Sequence, residues 1–407
     1  MKMLIIADDL SGAADCAAGC VQSGLRTMVQ LDKEADTRGF EVVAFDTDSR
    51  RLPATEAATL HFELLQSLLQ QRPPMIYKKI DSTLRGSFAQ ELFATQQLAG
   101  TPILAPSFPA MGRTMVDGQL LVKGVALAET EVWKNEKRSG PSTLSSMLEA
   151  AGFKPVLIPL ATVRGDSAML RVAIEKEIGV AQRAIVCDAE SESDLECIAK
   201  ATVSFSHRCQ LVGSGGLMRH LPKAHGWSAP PGASQDRIMK PGAPVLALVG
   251  SVSSSSKQQC RHLAETAKTP ACTIDPALLR AGSAHPQWLA TQQRIVDSLT
   301  NKKDLVLTIG GEFPDLREGP VLAASLARLV SPAFALVGGL ILTGGETARA
   351  LMSEWGIHAL ELIGELEAGI PLSYAIGSRR IPVITKAGAF GGEDCLSRAL
   401  HLLKSNA

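Results

Sequence analysis

Tyr77-Lys78-Lys79-Ile80-Asp81-Ser82-Thr83-Leu84-Arg85-Gly86-Ser87 reads as a strand that ends in one acid, two hydroxyls and a guanidinium within five residues. Ligands of open α/β sheets bind outside the carboxyl ends of the strands, so this cluster points to a polar, anionic small molecule. Alternation along the strand puts Tyr77, Lys79 and Asp81 on one face and Lys78 and Ile80 on the other. Lys79 is thereby placed to pair with Asp81 or to reach an anionic ligand across it. Two more strand ends carry similar chemistry: Leu4-Ile5-Ile6-Ala7 runs into Asp8-Asp9, and Val42-Val43-Ala44-Phe45 runs into Asp46-Thr47-Asp48-Ser49-Arg50-Arg51.

Asp8 and Asp9 precede a small-residue helix from Gly12 to Gly19, so one carboxylate is expected to cap that helix while the other, Asp9, meets ligand. A planar guanidinium at Arg50 or Arg51 matches a substrate carboxylate bidentately, with an exposed loop arginine as the alternative. The loop from Pro106 to Thr114 adds Arg113 as a further anion contact, although its prolines also serve to stiffen the connection.

Strand and helix patterns alternate along the whole chain, a βαβ rhythm that predicts parallel sheets with helices on both faces. Strands are expected near 3–7, 41–45, 75–80, 102–105, 155–158, 184–187 and 209–212, and then near 244–249, 271–274, 304–308, 339–342 and 382–385. The fold class is therefore α/β, in two domains that are each a mainly parallel sheet flanked by helices. Gly226-Trp227-Ser228-Ala229-Pro230-Pro231-Gly232-Ala233-Ser234-Gln235 cannot continue a helix and reads as a linker, which divides the chain into 1–238 and 239–407.

Three strand ends of the second part are rich in glycine. Leu246-Ala247-Leu248-Val249 precedes Gly250-Ser251-Val252-Ser253-Ser254-Ser255-Ser256-Lys257, Leu340-Ile341-Leu342-Thr343 precedes Gly344-Gly345-Glu346-Thr347, and Pro382-Val383-Ile384-Thr385 precedes Lys386 to Asp394. Glycine lets the backbone approach a ligand, and the amides and hydroxyls at a new helix's amino end are donors for an anion. Any one such turn is as readily a plain tight connection. Three together suggest a nucleotide cradle. The Walker A pattern fails, because Ser255 and Ser256 stand where Gly and Lys are required, and no GxGxxG opens the first domain.

With 41 basic and 41 acidic residues among 407, no net charge steers the chain to nucleic acid or to a membrane. Apolar runs look too short to span a bilayer, and no secretory signal is read at the amino terminus. The eight cysteines contain no CxxC pair. Reduced thiols and a cytoplasmic location are expected.

Taken together, Ile6 to Asp15 (IADDLSGAAD), Lys78 to Ser87 (KKIDSTLRGS), Ala105 to Thr114 (APSFPAMGRT), Leu342 to Ala348 (LTGGETA) and Ile384 to Leu396 (ITKAGAFGGEDCL) resemble the four-carbon acid sugar kinases, which include D-threonate, D-erythronate and 3-oxo-tetronate kinases. The resemblance implies a sugar-acid-binding domain over 1–238, a nucleotide-binding domain over 239–407, and transfer of the ATP γ-phosphoryl group to a C4 hydroxyl, best of D-threonate. Carried over by motif, Asp9, Arg51, Asp81, Ser82, Thr83, Leu84 and Arg85 hold the substrate. Ser251, Ser253, Gly344, Gly345, Glu346, Thr347, Gly388 and Gly391 hold ATP. Asp81 or Asp9 accepts the hydroxyl proton, and Mg²⁺ with the helix amino ends stabilises the phosphates. The implied partners are the sugar acid and ATP, with a homodimer left open. Leu10 and Ser11 depart from the ADDFTG common in the family. A ligase, a dehydrogenase and a non-catalytic sugar-acid sensor are the competing readings.

Overall fold

The computed structural model describes all residues except 33–34, 72, 74, 136–142, 228–241, 252, 267–268, 270, 311–317 and 405–407. The chain forms two compact units, Met1–Thr27 with Thr37–Ala233, and Met28–Asp36 with Ser234–Ala407. The expected division at 238 lies outside the described residues. Met28–Asp36, which the sequence places in the first domain, belongs to the second unit.

The strands in chain order are β1 (Met3–Ala7), β2 (Thr27–Gln30), β3 (Val42–Asp46), β4 (Ile76–Lys79), β5 (Thr101–Ala105), β6 (Arg113–Val116), β7 (Gln119–Val122), β8 (Val125–Ala126), β9 (Lys154–Ile158), β10 (Arg183–Cys187) and β11 (Cys209–Gly213). The first unit's sheet runs β3-β1-β4-β11-β5-β10-β9, and all six pairings are parallel. Strands buried on both faces need no polar alternation, which is why β1, β3 and β5 read as nearly continuous apolar runs. On one face Leu4, Ile6, Val43, Phe45 and Ile76 pack with Leu65 and Leu68 of the helix Ala54–Leu68. Strand β1 lies between β3 and β4, so the winding reverses at β1. A crevice opens outside the strand ends at such a reversal. All three acid-bearing strand ends meet there.

The loop expected around Arg113 is instead the start of a separate three-stranded antiparallel sheet, β6-β7-β8. Its two turns are Asp117-Gly118 and Lys123-Gly124, with positive φ at all four residues. Asp-Gly is a strong signal for a two-residue hairpin turn, and it stood in the sequence unread.

The second unit continues with β12 (Val245–Val249), β13 (Ala271–Ile274), β14 (Leu305–Ile309), β15 (Gly339–Thr343), β16 (Ile357–Glu367), β17 (Ile370–Gly377) and β18 (Pro382–Lys386). Its order is β13-β14-β12-β15-β18-β17-β16, with β2 beyond β16. The first five strands are parallel, and β17 is antiparallel to both of its neighbours. The early segment is secured by Leu31 N donating to His358 O at 2.9 Å and by Arg349 donating to Leu31 O at 2.7 Å. One apolar stretch is longer than the sequence reading allowed. The helix Gly319–Val330 continues as a 3₁₀ turn, and Gly319–Leu336 is by length and composition alone sufficient to cross a membrane. Leu322, Leu326, Leu329 and Val330 of this helix are buried within the fold.

Candidate active site

In the first unit, Arg50 ties the three strand ends together. Its Nε and Nη2 donate to the two oxygens of Asp8, both at 2.8 Å, and Nη2 also reaches Asp9 Oδ1 at 2.7 Å. Its Nη1 lies 3.7 Å from Asp81 Oδ2. The loop below is fastened by main chain, since the amides of Ser49 and Arg50 both donate to Asp8 O. Burial pushes the Asp8 carboxyl up, but the Arg50 charge and hydrogen bonds overcome it and hold Asp8 below its usual value. Gly86 is required here, because a Cβ on it would stand 2.5 Å from Asp8 Oδ2.

Asp9 is itself the helix cap. With extended backbone, it accepts from Gly12 N at 3.0 Å through Oδ1 and so opens the helix Leu10–Val21. The sequence had divided capping and ligand contact between two acids, whereas here one oxygen of Asp9 does the capping. Its Oδ2 accepts no hydrogen bond among the described residues.

Asp81 is the more committed acid. Oδ1 accepts from Thr83 N at 2.9 Å, from the Thr83 hydroxyl and from Arg85 Nε at 3.1 Å, while Oδ2 accepts from Arg85 Nη2 at 2.7 Å. Burial works against its charge, yet Arg85 and then Arg50 hold the carboxyl well below the usual range. Leu84 adopts φ 58°, rare for a branched residue; its side chain is buried in the core and its amide donates to Asp81 O at 2.9 Å, so it presents no side chain to a ligand. Lys79 makes no ion pair with Asp81 within 4 Å among the described residues, because Arg85 occupies that place. Arg51 is exposed at the same strand end where Arg50 is drawn into the acids. Arg113 donates to Met111 O, and its buried Nε makes no hydrogen bond among the described residues. Burial and the neighbouring Arg85 push its pKa down, against the opposing pull of Asp81.

Beneath β3 and β4 lies a buried network that sequence reasoning missed. His61 Nε2 is 2.9 Å from Ser49 Oγ and 3.0 Å from Thr47 Oγ1, and its Nδ1 is 3.4 Å from Lys78 Nζ. Lys78 in turn pairs with Glu91 at 2.7 Å. Burial, helped by the Lys78 charge, keeps the imidazole neutral. An ammonium only donates, so Nδ1 accepts and Nε2–H serves the two hydroxyls. The only sequence signal was a histidine on the inward stripe of the helix Ala54–Leu68, beside Ala57 and Leu65.

The second unit's three glycine loops stand side by side, because β12, β15 and β18 are neighbours. Gly250 N donates to Thr343 O and Gly344 N to Lys386 O, which stitches successive strand ends. Ser253 and Ser256 both donate to Gly388 O at 2.9 Å, and the Gln259 amide donates to the carbonyls of Phe390, Gly391 and Gly392. A Cβ on Gly250 would lie 1.8 Å from Thr347 Oγ1, and one on Gly388 would lie 2.0 Å from Ser251 Oγ. Gly344, at φ 98°, is the residue from which the helix Gly345–Glu354 starts, with Glu346 in its first turn. Ser251, Ser253, Gly344, Thr347 and Gly388 are thus brought together, whereas Gly391 faces Cys395 on the far side of its loop. Val252 lies outside the described residues. Lys386, also missed, is buried and pushed down to about 8 by that burial. Among the described residues the buried hydroxyls of Thr343 and Thr385 find no hydrogen-bond partner. Small side chains, hydroxyls and a helix amino end form a surface suited to phosphate oxygens.

A family model described as a sugar-binding N-terminal domain matches residues 3–221, and one described as a nucleotide-binding C-terminal domain matches 246–396. The chain is similar to a protein named D-threonate kinase from Cupriavidus necator, at 44% identity over 98% of this chain and 97% of the relative. The chain belongs to the four-carbon acid sugar kinase family. A second protein named D-threonate kinase, from Salmonella typhimurium, is 30% identical over 99% of both chains. A solved structure from Salmonella typhimurium LT2 matches 98% of both chains with a TM-score of 0.81 at 24% identity, which shows that the kinase shares its fold. The charged crevice therefore lies in the sugar-binding region of a kinase, and the glycine loops lie in its nucleotide-binding region.

Proposed function

We propose that the chain is a D-threonate 4-kinase that uses ATP and Mg²⁺. The observation that carries this reading is the similarity, over nearly the full length of both chains, to a relative named for D-threonate. The crevice supports it chemically. Ser82 and Thr83 offer partners for hydroxyls beside Asp81 and Arg85, and Arg51, Arg85 and Arg113 supply positive charge for the acid's carboxylate. Asp81 is bound through both oxygens, so it serves as a holder. Asp9, with Oδ2 open, is the acceptor of the C4 hydroxyl proton.

Phosphoryl transfer has a loose transition state, and placement of the reactants outweighs the strength of the base. In the second unit, the hydroxyls of Ser251 and Ser253, the helix start at Gly344, Gly345, Glu346 and Thr347, and the loop at Gly388 hold ATP. Mg²⁺ neutralises phosphate charge when bound. It needs only one or two protein carboxylates besides phosphate oxygens, and Glu346, in the first turn of the helix Gly345–Glu354, is a carboxylate placed to serve.

A coupled ADP-release assay over D-threonate, D-erythronate, L-threonate, L-erythronate and the 3-oxo acids tests the reading. D-threonate is expected to show the highest kcat/KM. A higher value for D-erythronate or a 3-oxo acid would move the assignment within the family, and binding of acid and ATP without ADP release would make the chain a sensor.

A further inference from the structure

Lys79 ends β4 with 5% of its surface exposed, and its ammonium makes no hydrogen bond and no ion pair within 4 Å among the described residues. A buried ammonium carries three donors and is costly to leave unsatisfied. The adjoining cations are already committed, Arg50 to Asp8 and Asp9 and Arg85 to Asp81. Burial weighs against the charge of Lys79, but Cys16, Asp9, Asp15 and Asp81 outweigh it and hold the lysine protonated. Lys79 is therefore a charged donor without an acceptor inside the sugar-acid crevice.

Its place relative to Asp9 defines what it can grip. A Cβ on Gly12 would stand 2.8 Å from Lys79 Nζ and 2.6 Å from Asp9 Oδ1, so the ammonium and the carboxylate border one small space that glycine leaves clear. Three carboxylates surround Lys79, which makes the space a poor seat for the substrate's own carboxylate. A hydroxyl suits it, because it donates to an acceptor and accepts from a donor at once.

We propose that Lys79 and Asp9 grip the hydroxyl that is phosphorylated, with Lys79 donating to its oxygen while Asp9 Oδ2 accepts its proton. In the transfer, a bond forms between that oxygen and the γ-phosphorus of ATP, and the bond from the γ-phosphorus to the β,γ-bridging oxygen breaks. Its electron pair leaves with ADP, and the hydroxyl proton passes to Asp9. Lys79 then faces the new phosphate ester with a positive charge. Lys79 is on this account a catalytic residue. The inference rests on the four-carbon acid reading of this same crevice.

The test is calorimetric titration of the full chain with D-threonate and with its 4-deoxy analogue, repeated on Lys79→Met. The wild type is expected to bind D-threonate about 10-fold or more tighter than the analogue, as the loss of one charge-assisted hydrogen bond implies. Lys79→Met should bind both acids at the analogue's affinity, and single-turnover transfer should slow by about 10²-fold. Equal weakening of both acids by the substitution would assign Lys79 to a different substrate group. A variant that keeps the wild-type preference would make Lys79 a purely structural ion. Either result overturns the proposal. If Lys79→Met does not fold, Lys79→Arg, which keeps the charge but moves the donors, is read by the same cycle. Failure of the wild type to release ADP with D-threonate would sink the substrate assignment instead, and the cycle would be run with the acid that is turned over and its deoxy analogue.

Discussion

The crevice of the first unit and the cradle of the second both sit at strand ends of a mainly parallel sheet, yet they are built from opposite materials. In the crevice, charged side chains satisfy one another: Asp8, Asp9 and Asp81 are held by Arg50 and Arg85 at 2.7 to 3.1 Å. In the cradle, serine hydroxyls and backbone carbonyls do the holding, and glycine is set by sterics, as at Gly250 and Gly388. The difference matches the ligands proposed for each. A small acid is distinguished by the positions of its hydroxyls and carboxylate, which side chains can match individually. Phosphates present similar oxygens in every nucleotide, and backbone amides suffice for them.

The comparison can be broken most forcefully at Arg50. Arg50→Ala leaves Asp8, with 3% of its surface exposed, charged and unpaired, and should cost about 3–5 kcal/mol of stability in urea denaturation. Arg51→Ala is the control. It should leave stability within about 0.5 kcal/mol and raise KM for the acid about 10-fold or more, by loss of a charge-assisted hydrogen bond. Equal destabilisation by the two substitutions would mean that Arg50 does not organise the crevice.

The two acids should separate next. Asp9→Asn should lower kcat by about 10²-fold or more with ATP binding intact, as loss of a general base predicts. Asp81→Asn should act mainly on KM for the acid, by loosening Thr83 and Arg85. Near-normal single-turnover transfer in Asp9→Asn, with severe loss in Asp81→Asn, would reverse their roles.

A smaller effect is expected in the cradle. Gly388→Ala forces a Cβ against Ser251 Oγ and should weaken ATP binding by about 1–3 kcal/mol in calorimetry, with acid binding unchanged. Unchanged ATP affinity in the folded variant would show that this loop does not face the nucleotide.

The smallest concerns Lys386. Its folded pKa of about 8 lies below the ordinary lysine value of 10.5, so between these values the unfolded chain binds the extra proton. Stability should therefore rise with pH across that interval, by about 1 kcal/mol per pH unit. Lys386→Met should remove this part of the slope, and an identical slope in both proteins would show that Lys386 is not desolvated.

Much of this was legible in residue order. The βαβ alternation predicted two mainly parallel sheets, and the motif at Tyr77 to Ser87 placed acids, hydroxyls and arginines at one strand end. The hairpin β16–β17 was not legible, because its long strands carry no tight Asn-Gly or Asp-Gly turn, and Ala368-Gly369 joins them instead. The pairing of Met28–Asp36 with the second unit was hidden for another reason. No strand is expected between 3–7 and 41–45, so β2 itself goes unread, and the segment is held by a contact hundreds of residues away, as between Leu31 and His358.

Sequence alone determined the chemical inventory and its local placement, because the period of a strand and the turn after it place Asp8, Asp9, Asp81 and the glycine loops at strand ends. Tertiary structure alone decided which of those groups are consumed and which stay open. Arg50 rather than Arg51 enters the acids, Asp81 is satisfied by Arg85, and Asp9 Oδ2 and Lys79 are left with unused hydrogen-bonding capacity. Hydrogen bonds and ion pairs depend on distances between side chains carried by different strands, and only the packed sheet sets those distances.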